Sequence, residues 1–153
     1  MGTQLSNGDK VLVEEARRII AQRFKENWHH IGCALRTHSG RVFSAVHLEA
    51  YVGRMGVCAE AVAIGMGAAV GDTEIDTIVA VNRRGEVVAP CGMCRELIAD
   101  YSSTARVIVP GEGGEEVVAV TALLPNKYVR KSEPQPSAVT DKKPTGAGPA
   151  ADL

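Results

Sequence analysis

Apolar positions at the start of the chain recur at helical spacing. Val11, Leu12, Ala16, Ile19, Ile20 and Phe24 share one stripe, which predicts a packing helix over about 7–26. Ser6 with Asp9 three residues on approximates a capping box at its start. The period then drops to two. Residues 31–37 and 41–48 read as strands joined at His38-Ser39-Gly40, the pattern of a hairpin. Residues 58–70 are rich in alanine and glycine and apolar all round, so they predict a central, tightly packed helix. Gly65 and Gly67 would admit a close neighbour, and Gly71 suits the C-terminal cap. Residues 75–81 predict a buried strand, 82–85 a turn and 86–89 a short extended piece. A second central helix follows over 91–101. Strands at 106–109 and 116–120 are joined by a short glycine-rich link, which suits an antiparallel pair. Residues 121–124 suggest a last helical turn.

The order is helix, two strands, helix, strand, helix, two strands. Helices alternating with strands must cover both faces of a sheet, so the fold class is α/β, a three-layer α/β/α sandwich around a mixed sheet. From about residue 130 prolines, lysines and small residues dominate. The expected organisation is one domain over 1–129 and a disordered tail over 130–153. No internal repeat is visible.

Composition narrows the function. A hydrophobic content of 45% fits a globular chain with a real core. A formal net charge of −1 and only 4% aromatics argue against nucleic acid as a partner. No apolar run approaches the roughly 20 residues of a membrane span. The first ten residues are polar, so no signal peptide is read there. Four cysteines without such a signal point to a reducing, cytoplasmic setting, where metal binding or catalysis outweighs disulfides.

Chemistry concentrates in two short segments, Cys58-Ala59-Glu60 and Pro90-Cys91-Gly92-Met93-Cys94. Each stands at a predicted helix start, where thiolates form more easily. Cys91 and Cys94 are three apart, on one face of a first turn. Three cysteine ligands on Zn²⁺ leave a fourth position for water, the open geometry of a catalytic site. Glu60 stands two residues past Cys58, placed to move protons without binding the metal. Alone, Glu60 would read as a solvated glutamate favoured by the helix dipole. Cys33, between Gly32 and Ala34, reads as a small core residue rather than a fourth ligand.

The pairing of Cys-x-Glu with Pro-Cys-x-x-Cys resembles the zinc-dependent cytidine deaminase family. The resemblance runs from about residue 31 to residue 128. It implies a five-stranded sheet with both metal-bearing helices beneath one face, and one Zn²⁺ per chain on Cys58, Cys91 and Cys94. It also implies hydrolytic deamination of a small-molecule nucleoside, with Glu60 as the catalytic proton carrier. Arg95 would donate to a ligand sulfur and offset the charge of three thiolates. The family often carries a second arginine directly after the glutamate; here Ala61 stands there.

On the substrate side the family's Asn-x-Glu on the second strand falls on His47 and Glu49. Its phenylalanine-proline pair falls on His29-His30. Glu49, His47, Ala59, His29 and Tyr128 are thus the implied substrate-binding residues. Leu124-Pro125-x-x-Tyr128 matches the family's Leu-Pro-x-x-aromatic. In the family's tetramers that aromatic reaches a neighbouring subunit's pocket, so Tyr128 would act in trans in a homotetramer; the alternative is that it anchors the chain end. Blasticidin-type deaminases share the three-cysteine site and resemble the chain nearly as well. Three other readings compete. A structural zinc module needs a fourth ligand. A thiol redox protein leaves Cys58 and Glu60 unexplained. A nucleic-acid deaminase ordinarily has histidine as its first ligand and a basic patch, and this chain has neither.

Overall fold

In the computed structural model, which describes residues 2–129, the opening helix α1 spans Asn7–Arg23. The capping box is complete: Ser6 Oγ accepts from the Asp9 N–H, and the Asp9 carboxylate accepts from the Ser6 N–H. The helix ends three residues earlier than the apolar stripe suggests. Phe24 turns out of it, and the chain closes a tight turn with Lys25 paired to His29. Asn27 takes the left-handed conformation there, which its short polar side chain tolerates. The expected tail over 130–153 lies outside the described residues.

Strands β1 (Ile31–Thr37) and β2 (Val42–Val46) form the expected hairpin. Helix α2 is Ala59–Ala69, β3 is Ile75–Asn82 and α3 is Gly92–Tyr101. Strands β5 (Arg106–Gly111) and β6 (Gly114–Ala119) pair antiparallel through a two-residue turn, and the 3₁₀ turn Val120–Leu123 follows. Here β4 denotes the two-residue strand Val87–Val88. The main sheet runs β2-β1-β3-β5-β6, the five strands expected. It is mixed, because β3 and β5 run parallel across the α3 connection while the other pairs are antiparallel.

One edge of β3 pairs with β1 along its length. On its other edge β5 takes Thr77 to Val79, and β4 continues at Ala80 and Val81. This sixth strand delivers the chain from the sheet to Pro90 and Cys91.

Both sheet faces are covered, so β1 and β3 are buried almost throughout rather than alternating. On one face Leu12, Val13, Ala16 and Ile20 of α1 pack on Ala34, Val79 and Ile108. On the other, Ala63 and Ile64 of α2 and Ile98 of α3 pack on Cys33, Leu35 and Ile78. Gly32 sets the distance of α1: a Cβ there would stand 2.7 Å from the Ala16 carbonyl oxygen and 2.8 Å from the Ile20 Cβ. Of the two α2 glycines, Gly67 meets the Asp72 carbonyl in the same way, and Gly65 faces open space. The close approach expected at Gly67 is therefore made by the helix's own exit turn.

Candidate metal centre and active site

Cys58 is the N-cap of α2 and Cys91 the N-cap of α3, both in extended backbone. Cys94 follows in the first turn of α3. Packing of α2 beside α3 brings the two helix starts together. All three Sγ atoms lie within 4.8 Å of one another, and Cys58 Sγ stands 3.7 Å from Cys91 Sγ. A tetrahedral Zn²⁺ with Zn–S bonds of about 2.3 Å needs sulfurs about 3.8 Å apart, so this donor set fits the metal. Among the described residues no fourth histidine, cysteine or carboxylate joins the group. Cys33 is fully buried on β1 within the core.

The thiols differ in their environments. Burial and the neighbouring Glu60 push the Cys94 thiol far up. Cys58 is also raised, chiefly by burial. For Cys91 burial acts upward too, but the main-chain N–H groups of Cys94 and Met93, with the neighbouring thiols, bring the net shift below the ordinary value. An isolated cluster of this kind resists carrying three thiolates, and a cation resolves the conflict.

Glu60, in the first turn of α2, is only 6% exposed, and burial raises its carboxyl above the ordinary glutamate range. It lines a cavity of about 330 Å³ together with Cys58, Cys91, Ala59, His47 and Glu49. A larger groove of about 560 Å³, along Phe24, Val62 and Met66, holds neither Glu60 nor any of the cysteines.

The rim is assembled from two segments laid against each other. The Leu48 and Val57 main chains exchange both hydrogen bonds, at 2.9 and 2.8 Å, and so close the loop 49–56. Glu49 N–H donates to the Trp28 carbonyl, and Trp28 meets Tyr51 edge to face at 5.5 Å. His47 Nδ1 accepts from the N–H groups of His30 at 2.8 Å and Ile31 at 3.2 Å. His30 stacks on the His47 ring with centroids 5.5 Å apart.

The structure corrects two of the expected site roles, those of His29 and Arg95, and Tyr128 stands as either of its two readings has it. His29 does not line the cavity: its Nδ1 donates to the His47 carbonyl at 2.8 Å, so it positions β2's end rather than touching a ligand. Arg95 does not reach a ligand sulfur. Its Nε donates to the Pro90 carbonyl at 2.9 Å and its Nη1 to the Leu123 carbonyl at 3.1 Å. Tyr128 is 75% exposed and lies outside the cavity of its own chain. The sequence reading also missed Val88 and Ala89 as a cavity wall and the main-chain donors of His30 and Ile31. The paired histidines were the available signal for the latter.

This geometry, three converging thiols beside a buried carboxyl at the floor of a cavity, defines a zinc-dependent deaminase site. The chain belongs to the cytidine and deoxycytidylate deaminase family, whose zinc-binding region matches residues 6–110. Its relatives include the blasticidin-S deaminase of Bacillus cereus, 45% identical over 134 residues, covering 82% of this chain and 96% of that protein. In fold it is similar to the cytidine deaminase of Mycobacterium leprae, with a TM-score of 0.69 and 24% identity over 79% of this chain and 99% of the other. The cytidine deaminase of Burkholderia pseudomallei superposes with a TM-score of 0.67 and 25% identity, over 81% of this chain and the whole of the other.

Proposed function

We propose that the protein hydrolytically deaminates cytidine, deoxycytidine or a closely related aminopyrimidine nucleoside, natural or modified, and releases ammonia. The observation that carries this reading is the buried Glu60 beside three sulfurs spaced for one Zn²⁺. A Zn²⁺ held by Cys58, Cys91 and Cys94 would supply the Lewis acidity that makes water a nucleophile near neutral pH. Glu60 takes a proton from the attacking water and passes it to the ring nitrogen beside the amine-bearing carbon. The water oxygen bonds to that carbon. Glu60 then carries the second proton to the amine, which leaves as ammonia. One carboxyl alternates between base and acid, and its raised pKa brings it nearer the working pH for both tasks. His47 and Glu49 face the sugar side, and Ala59 borders the base.

A second substrate reading rests on the 45% identical relative: a cytosine-nucleoside antibiotic such as blasticidin S. Ammonia release across cytidine, deoxycytidine, 5-substituted forms and blasticidin S separates the two. A kcat/KM for cytidine above about 10⁵ M⁻¹s⁻¹ marks it as a natural substrate. In either case Glu60→Ala should lower kcat by about 10²–10⁴-fold while the protein keeps one zinc per chain. Full activity in that variant would overturn the assignment.

The same reading includes a homotetramer in which Tyr128 completes a neighbour's site. Its support is the exposure of Tyr128 together with Phe24, Leu48 and Met66. Light scattering tests the assembly. A cytoplasmic protein recycling pyrimidines agrees with cysteines kept reduced for metal.

A further inference from the structure

Arg95 stands where a helix dipole disfavours a cation. It lies in the first turn of α3, at the positive end of that helix. Its side chain donates to two carbonyl oxygens that belong to separate parts of the chain. The first is that of Pro90, 2.9 Å from Nε. Proline has no N–H, so this carbonyl is the residue's one hydrogen-bonding group. It also shares a planar peptide unit with the nitrogen of Cys91. The ladder of β4 ends at Val88, and the Cys91 side chain makes no capping bond to α3. Holding the Pro90 carbonyl therefore fixes the peptide plane from which the Cys91 thiol departs. The second carbonyl is that of Leu123, 3.1 Å from Nη1, at the end of the 3₁₀ turn Val120–Leu123. The exit of that turn is otherwise closed only by a long bond of 3.4 Å from the Leu124 N–H to the Thr121 carbonyl. Further on, Lys127 ties the same segment to α3 through Glu96 at 3.0 Å and Asp100 at 2.7 Å. Leu123 and Leu124 pack, with Leu97 and Cys58, against one core cluster.

We propose that Arg95 is a positioning residue that couples the metal centre to the C-terminal segment. One rigid guanidinium spans the peptide in front of Cys91 and the turn in front of residues 124–128. The segment seats and the Cys91 thiol aligns for zinc as a single event. A lysine cannot replace it, being a point charge without the planar fork. Such coupling is reciprocal: zinc tightens the segment, and loosening the segment weakens zinc. Metal retention is thereby set in part by a stretch of chain that supplies no ligand. The proposal rests on zinc at Cys58, Cys91 and Cys94 and is independent of which nucleoside is turned over.

Two measurements on the full chain test it. Competition with a chromophoric chelator reads zinc affinity, and hydrogen exchange over residues 120–128, with and without zinc, reads the segment. In wild type zinc should slow that exchange by about 5-fold or more. Arg95→Ala and Arg95→Lys should each lower zinc affinity by about 10–100-fold and leave the exchange indifferent to zinc. Lys127→Ala frees the segment at a point away from the thiols. It should lower affinity by about 2–5-fold in wild type, since such pairs are weak, and no further once Arg95 is replaced. A Lys127→Ala loss that is absent from wild type, or equal in both backgrounds, overturns the coupling and leaves the zinc site standing. So does exchange in wild type that zinc does not alter. Arg95→Lys keeps the charge and the stem, so it closes the cycle if Arg95→Ala does not fold. A full chain that takes up no zinc overturns the coupling and the metal centre together.

Discussion

Glu60 is held in a place that suits its chemistry and burdens the fold. Burial raises its pKa above the unfolded value, so its contribution to stability is fully present below the unfolded pKa. That contribution is lost as pH rises through the folded one. Glu60→Gln should therefore raise the Tm of metal-free protein by a few degrees at pH 8, with the gap closing near pH 4. Thermal denaturation across pH checks this. For the same reason the acid limb of the kcat profile should lie above an ordinary glutamate pKa. Glu60 and the three cysteines were legible because each motif is local, ligand and neighbour lying within four positions. Arg95 was not, because its partner carbonyl on Leu123 lies 28 residues away and only the fold brings it near. His47 was noticed as a departure from the family pattern, yet its partners sit 16 and 17 residues upstream on another segment.

Among the elements, α1 and α3 show how the site is held from a distance. Gly32→Ala should cost about 1–3 kcal/mol, since its Cβ would press on the Ala16 carbonyl and push α1 off the sheet. Urea denaturation measures it. Asp9 ties the start of the same helix to the strands: nearly fully buried, it is bonded to Ser6 and, at 3.1 Å, to Arg36, which also holds Asp76 at 2.7 Å. At the other end of the molecule Lys127 pairs with Glu96 and Asp100 of α3, while Arg95 holds Leu123. The C-terminal segment is thus docked along the metal-bearing helix. The helix starts were readable from caps and cysteines. The end of α1 was not, because Phe24 continues the apolar stripe while the Lys25–His29 turn claims the backbone. The short extended piece expected over 86–89 is there as β4, but its pairing with β3 was not readable from two residues.

For the molecule as a whole, the three-layer arrangement followed from alternating helices and strands, and both faces of the sheet are indeed covered. The strand order did not follow, because nothing local says that β1 lies between β2 and β3. The two layers of core leave the metal to join α2 to α3 at one end. Removing it should lower the Tm and expose thiols in a defined order. With a thiol reagent after chelation, exposed Cys91 and half-buried Cys58 should react quickly and buried Cys94 slowly. Cys33 should stay silent until the protein unfolds. Early reaction of Cys33 would contradict its place in the core.

The bridge between Leu48 and Val57 has a bearing on how such an enzyme diversifies. Both feet of the intervening segment are clamped, one just past the end of β2 at the cavity rim and the other one residue before Cys58. Insertions, deletions or exchanges between the clamps can redraw the mouth of the cavity without dragging on the ligand sulfurs. Grafting that segment from a relative is accordingly the shortest route to a changed substrate range with an unchanged zinc affinity.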